Sequence, residues 1–526
     1  MCFLEEERTF PHGRERRVQK KFSFGLIVFT CFLLAVSVLS GAAKSEKITK
    51  EKQYILDWLS LSETVEKFGR ISDAVWSYAE LGMQEFSSSK LLADTLEEAG
   101  FSVERGMAGM PTCFVATYGS GHPVIGFLGE FDALPMISQK GRVPVQEPLL
   151  DGAPGHGCGH NTMCTAAVGS AIAVKNAMEK FGLKGTIKVF GSPAEETLIS
   201  RPYMVRAGLF KDVDVVIDNH SSSTFATSYG KSGNAMYSTV FTFKGKTSHG
   251  ASPWTALSAL DAVEIMNVST NYLREHLFYT YRMHYVIVDG GQAPNVVPDK
   301  ASVWYFVRNS DERLKPMYER VINCAKAAAL ATGTELEQIR CYSAVHQRVG
   351  NKALAELFQK NIELVGMPEW TEEDQLFAKQ LQKTLGRKES GMPSTVRSLR
   401  DQDRFFVGGG SSDVAEVSRV CPTATIVFPG QVPGAIGHHW SSVASNFGNT
   451  AWLGLNAGSK AMAASAVDML MSPEKVQEIR DEFDRFLEKN PYEPFLPEDA
   501  QPPLDLNREL MEKFRPLMEK FYLKIK

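Results

Sequence analysis

Gly155-His156-Gly157-Cys158-Gly159-His160-Asn161 sets a thiol and an imidazole two residues apart where a helical stretch begins. Both groups are good ligands for a zinc-like or manganese-like ion, and a helix amino terminus favours the thiolate form. Taken alone, the spacing fits a buried structural cysteine beside a capping loop better. Ser192-Pro193-Ala194-Glu195-Glu196 offers two adjacent carboxylates after an apolar run. Such neighbours can divide the work of metal-assisted hydrolysis, one holding the ion while the other carries a proton from water to the leaving nitrogen. The plainer reading of an isolated Glu-Glu is a solvated acidic helix start. His220 ends a third apolar run, where a lone histidine is more often a hydrogen-bonded core residue than a ligand. With the late pair His438-His439, the chain holds N, S and O donors sufficient for two ions.

Positioning these residues falls to short apolar runs at 124–128, 186–190, 213–217 and 423–428, separated by helical stretches such as 162–181. That alternation predicts an α/β domain. In open α/β sheets the ligand site lies beyond the carboxyl ends of the strands. The first run is followed by Glu130 and Asp132, the second by Glu195 and Glu196, the third by Asp218 and His220, and the fourth leads into His438 and His439. Four strands thus deliver carboxylates and imidazoles to one edge. Between 230 and 345 the texture changes to strand-like runs at 235–243, 285–288 and 301–307, with helices over 256–272 and 312–332, which reads as an inserted α+β unit. The expected order is an N-terminal segment 1–43, a catalytic domain in two parts at 51–229 and 346–471 around the insert 230–345, and a helical tail 472–526.

At 526 residues, 44% apolar and 22% charged, the chain has ordinary globular composition and length for two or three domains. A net charge of -4 provides no basic field of the kind that draws a protein to nucleic acid, so a small-molecule partner is expected. Arg14, Arg16, Arg17, Lys20 and Lys21 precede an apolar stretch at 22–43 that ends in Ser40-Gly41-Ala42-Ala43. That is the shape of a signal peptide, with an uncleaved anchor or a displaced core helix as alternatives. An exported protein, periplasmic or membrane-anchored, is the expectation, touching the membrane only through this segment if it stays uncleaved. Eight cysteines are too few for a disulfide framework in a chain of this length, and Cys158 must stay unpaired to act as a ligand.

Taken in order, Asp132 within Gly129-Glu130-Phe131-Asp132-Ala133-Leu134-Pro135, the Cys158/His160 motif, Pro193-Ala194-Glu195-Glu196, His220, and Phe243-Lys244-Gly245-Lys246-Thr247-Ser248-His249-Gly250-Ala251-Ser252-Pro253 resemble the M20 metallopeptidases and amidohydrolases. The likeness runs through residues 51–471. The Gly129–Pro135 wording, Asn295-Val296-Val297-Pro298, Ser411-Ser412-Asp413-Val414 and Gly437-His438-His439-Trp440 are most similar to the aminobenzoyl-glutamate hydrolase branch, in its B-type subunits. The resemblance implies a zinc-peptidase-like catalytic domain with an inserted α+β lid and dimerisation domain. It implies two divalent ions per subunit, Zn or Mn, bound by Cys158, His160, Glu196, His220 and His438, with Glu195 as general base. Asp132 would orient a ligand. His249 would reach from the lid into the other subunit's site and stabilise the oxyanion, while Asn295 and Arg308 would hold the substrate carboxylate. His438 rather than His439 is the matched ligand, because in relatives it directly follows a Gly or apolar residue. Asn161 departs from the Asp of many amino-acid amidohydrolases. The implied activity is amide hydrolysis of p-aminobenzoyl-glutamate or a similar N-acyl amino acid by a homodimer, with a related A-type subunit as a further partner. A dipeptidase of the same family and a catalytically silent partner subunit are the alternatives.

Overall fold

The computed structural model describes residues 48–403 and 409–525. The segment 1–43, on which the expectation of export or anchoring rests, lies outside the described residues. Among those described, no helix is long and apolar enough to cross a membrane. The expected exported or membrane-anchored location is therefore withdrawn.

Among the described residues, thirteen strands form two sheets. They are β1 (Ser102–Arg105), β2 (Phe114–Ser120), β3 (Val124–Glu130), β4 (Gly185–Ser192), β5 (Val215–Ser221), β6 (Ala226–Ser232), β7 (Ala235–Lys244), β8 (Arg282–Asp289), β9 (Lys300–Asn309), β10 (Glu335–Val345), β11 (Arg348–Gly350), β12 (Arg400–Asp401) and β13 (Thr423–Phe428). The larger sheet runs β1-β2-β4-β3-β5-β13-β6-β11, with β12 beside β6. Its centre, β4-β3-β5-β13, is parallel throughout. These four strands are the four apolar runs of the sequence. β3 is buried at every residue, as a strand covered on both faces must be, and its continuous apolar wording reflects that.

One face of this sheet is covered by the helices His160–Phe181 and Asn449–Met471, rich in Ala, Gly and Ser, which pack closely enough to exchange hydrogen bonds. Ser170 Oγ donates to the Ser459 carbonyl and Ser459 Oγ to the Ala166 carbonyl, each at 3.2 Å. Small residues also let the second helix approach the loop after β13. A Cβ on Gly454 would lie 2.5 Å from both the Gly430 Cα and the Pro429 carbonyl oxygen. That loop continues to Gln431, whose Nε2 donates to the Cys158 carbonyl at 2.7 Å, so helix packing is coupled to the cysteine loop.

The smaller sheet, β10-β7-β9-β8, is antiparallel and carries the helices Ala259–Leu273 and Asp311–Thr332. No sequence pattern predicts β10. Its first half, Glu335-Leu336-Glu337-Gln338-Ile339-Arg340, is largely exposed and has no apolar run to mark it. The tail packs inward, with Leu496, Met511, Phe514 and Met518 all buried.

Gly454→Ala should destabilise the protein by about 1–3 kcal/mol, since the added methyl meets backbone that cannot rotate away. Urea unfolding monitored by circular dichroism measures this, and an unchanged midpoint would contradict the close approach.

Candidate metal centre

The parallel strands end at one edge and release their polar residues there. Glu130 closes β3 and Asp132 follows it, while β4 leads into Ala194, held at φ 54°, and a short turn over Glu195–Thr197. A left-handed alanine needs support. Buried Glu85 provides it, with Oε1 accepting from the Ala194 amide at 2.8 Å. His220 lies on β5, and His160 opens its helix after left-handed Gly159.

The side chains converge on His160. Its Nδ1 is 2.9 Å from Asp132 Oδ1, which fixes the ring so that Nε2 faces inward. Nε2 then lies 3.3 Å from Glu130 Oε1, 3.8 Å from Glu196 Oε1 and 3.9 Å from Glu195 Oε2. Asp132 also accepts the Glu196 amide through Oδ2 at 3.0 Å, so one carboxylate orients both an imidazole and a glutamate. His220 is held in the same manner, Nδ1 donating to the Ser221 carbonyl at 2.7 Å and Nε2 standing 3.5 Å from Cys158 Sγ. His438 Nε2 lies 3.3 Å from Glu196 Oε2. Its neighbour His439 turns away to cap the helix Trp440–Ser445.

The donor atoms of Cys158, His160 and Glu196 lie within 4.8 Å of one another, as do those of Glu130, His160 and Glu195. His160 Nε2 and Glu196 Oε1 are buried without a hydrogen-bond partner. Buried polar atoms normally find partners, so two orphans facing one point, in a mixed N, S and O donor set, fit a divalent cation. The electrostatics agree. Burial, reinforced by Asp132 and Glu130 against the pull of His160, pushes Glu196 up to about 8. Burial and then Glu196 push the Cys158 thiol up to about 12. Burial, Glu130 and Asp413 also raise Glu195 well above the carboxylate range. A cation among these groups reverses each of those shifts.

Not every residue singled out in the sequence reaches this cluster. Arg308, half-buried on β9, faces it. Burial depresses its guanidinium and Glu195 opposes that effect, while His438 is lowered by burial, then by His160, with Arg308 adding to them. His249 and Asn295 are exposed on adjoining loops of the smaller sheet's unit, where the Gly250 amide donates to the Asn295 carbonyl at 2.8 Å. Neither has a described contact with the cluster of its own chain.

Buried groups outside the expected ligand set also shape the centre. Arg201, fully buried, pairs with Glu130 at 2.8 Å and Asp413 at 2.5 Å, while Asp413 also accepts the Arg201 amide. Arg201 thus supplies the fixed positive charge behind a site crowded with carboxylates. Asp413 stands in a recognised motif and Glu130 at a strand end, but Arg201 is a single arginine before a proline with no spacing to flag it. Asn161 also gains a role. Its Nδ2 donates to Ser72 Oγ and to the Asn446 carbonyl, both at 2.9 Å, which an aspartate could not do.

Residues 126–442 match the family described as Peptidase family M20/M25/M40. The chain belongs to this family. It is 34% identical over 463 residues to the B-type subunit of the p-aminobenzoyl-glutamate hydrolase of Escherichia coli, covering 83% of this chain and 96% of that protein. It is 28% identical to the human Xaa-Arg dipeptidase over 80% of this chain and 90% of the relative. Among solved structures, the aminobenzoyl-glutamate utilization protein of Klebsiella pneumoniae superposes with a TM-score of 0.53 at 16% identity, covering 80% and 98% of the two chains. This M20 chain is accordingly a hydrolase acting on amide or peptide bonds, of the metallopeptidase and amidohydrolase type.

Arg201→Met should cost about 3–5 kcal/mol, because it strands two buried carboxylates without a counter-charge. Chemical denaturation is the measure, and a loss below about 1 kcal/mol would show that Arg201 is dispensable.

Proposed function

We propose that the chain hydrolyses the amide bond of p-aminobenzoyl-glutamate or a similar N-acyl amino acid, using two divalent ions, Zn or Mn. Cys158, His160, Glu196, His220 and His438 are the proposed ligands. The observation that carries this reading is the pair of orphaned, inward-facing atoms His160 Nε2 and Glu196 Oε1 beside Cys158. The 34% identity to a p-aminobenzoyl-glutamate hydrolase chain supports the substrate.

Bound divalent ions supply Lewis acidity, lowering the pKa of water toward about 7 and polarising a carbonyl. Glu195, on the same turn as Glu196, takes the proton of the attacking water and returns it to the leaving nitrogen, freeing the amine and the carboxylate. Asp132 keeps His160 Nε2 and the Glu196 turn in place. Arg308 offers a planar fork for the substrate carboxylate, and Asn295 a further polar contact.

His249 lies outside its own chain's cluster, and a second copy would supply it. The unit over 230–345 is proposed as lid and dimerisation domain. Its edge strand β8 exposes Val286, Ile287 and Val288, and the adjacent helix exposes Ile265, Val268 and Tyr272, a surface suited to pairing with a copy of itself. In that homodimer His249 donates to the oxyanion in the partner's site. The Escherichia coli relative is a B-type subunit of its hydrolase, which supports a related A-type chain as a further partner. The 28% identity to Xaa-Arg dipeptidase favours dipeptides as the second substrate class.

Glu195→Gln should retain metal and lose turnover, whereas Glu196→Gln should lose metal. Elemental analysis combined with rates on p-aminobenzoyl-glutamate, acyl amino acids and dipeptides tests both roles, and a reversed pattern would exchange them. His249→Ala should lose an oxyanion donor worth about 3–4 kcal/mol while keeping its metal. Subunit exchange between equal amounts of inactive His249→Ala and inactive Glu195→Gln should restore about a quarter of wild-type activity, because half the dimers are mixed and each has one intact site. If tagged mixed dimers form and stay inactive, His249 does not act across an interface.

A further inference from the structure

Beyond the region matched by the family lies the C-terminal arm, whose sequence carries no catalytic motif. It follows the helix Pro473–Lys489 and runs as irregular chain to the helix Arg508–Met518. Its route is fixed by polar contacts. Arg206 donates to the Pro497, Glu498 and Ala500 carbonyls, and the Tyr203 hydroxyl lies 3.0 Å from the Gln501 carbonyl. The arm then reaches the loop over 79–85. Gln84 Nε2 donates to the Leu504 and Leu506 carbonyls at 3.2 and 3.0 Å. Asn507 Nδ2 donates to the Gly82 carbonyl at 3.0 Å, and Arg515 Nη2 to the Gln84 carbonyl at 2.7 Å. Arg515 also stands 3.5 Å from the carboxylate of Glu80, which is fully buried.

The clasped loop is the one that touches the centre. The Glu80 carbonyl accepts from the Ala133 amide at 2.8 Å, next to Asp132. Gly82 is pressed so close that a Cβ there would lie 2.9 Å from the Ala194 Cβ and 3.6 Å from Asp132 Oδ2. Glu85 holds the Ala194 amide, and through it the turn that presents Glu195 and Glu196. Asp132 in turn orients His160.

We propose that the C-terminal arm over 490–523 is a positioning element of the metal centre: Asn507 and Arg515 lock the 79–85 loop, and the loop fixes Asp132 and the Ala194 turn. The arm touches neither metal nor substrate. It acts through the loop, by denying it the alternative arrangements that would let Asp132 and the glutamate turn drift. The kinetic consequence rests on the roles given above to Glu195 and Glu196, whereas the mechanical consequence does not.

Two variants of the full-length protein test this. Asn507 sits at φ 62°, so Asn507→Gly keeps a backbone that glycine adopts freely and removes only the side-chain donor. Arg515→Met removes the counter-charge of Glu80, with Arg515→Lys as the conservative rescue. Hydrogen–deuterium exchange should rise about tenfold or more at the amides of 132–134 and 194–198 in Asn507→Gly and Arg515→Met, and return toward wild type in Arg515→Lys. Titration with Mn²⁺ or Zn²⁺ alone should show weakened affinity of about tenfold, within the range for outer-shell changes. Where a substrate is turned over, kcat should fall while KM stays within about twofold. The proposal is overturned if faster exchange is confined to 504–518 and metal affinity is unchanged. Should Arg515→Met fail to fold, Asn507→Gly decides alone. If no tested amide is cleaved, the substrate reading fails while exchange and metal titration still decide the role of the arm.

Discussion

Everything at this centre depends on an excess of buried carboxyl groups. Glu85, Glu130, Asp132, Glu195, Asp218 and Asp413 are all buried at or behind one edge of the sheet, with Glu196 beside them. Arg201 and His160 oppose them from the interior. Burying a carboxylate in low dielectric is costly unless it is paired or hydrogen-bonded. The fold meets that cost in two layers. Behind the cluster, Arg201 fixes Glu130 and Asp413, and backbone amides serve Glu85 and Asp132. In front, Glu196 Oε1 and His160 Nε2 keep unsatisfied capacity beside the Cys158 thiol, which is what fits the place to a cation. Rigidity and receptivity thus come from the same surplus, partitioned by depth.

Much of this is legible in the residues. β3, β4, β5 and β13 announce themselves because a parallel strand covered on both faces must be apolar at nearly every position. Once those four runs are read as strands, the rule that ligands gather at their carboxyl ends points to Glu130, Asp132, Glu195, Glu196, His220 and His438 together. Their adjacency, β4-β3-β5-β13, turns proximity in pattern into proximity in space.

What escapes shares a physical character. β10 is half-exposed at its start and offers no apolar signal. Arg201 and Glu85 act through tertiary contacts to residues far away in the chain, and an isolated arginine or glutamate in a sequence is usually solvated. Asn161 reads as a loss of charge relative to kin, yet its amide joins three segments that an acid would push apart. The stretch 490–507 follows neither helical nor strand period, because hydrogen bonds from its own side chains and from other segments to its carbonyls define its path, and such bonds leave no periodic trace. The expectation of export rests on residues beyond those described, and nothing in the folded body replaces it.

The clasp between the 79–85 loop and residues 504–515 joins the beginning of the folded body to its end. Synthesis proceeds from the amino terminus, and domains tend to fold as they emerge. A growing chain therefore displays Cys158, His160, Glu196 and His220 long before His438 or the arm exists. During that interval the cluster lacks the His438 imidazole beside Glu196 and the loop beneath it is unclasped. The clasp closes only once residues 504–515 have been made, so the loop beside Asp132 is among the last parts of the folded body to be held from both sides.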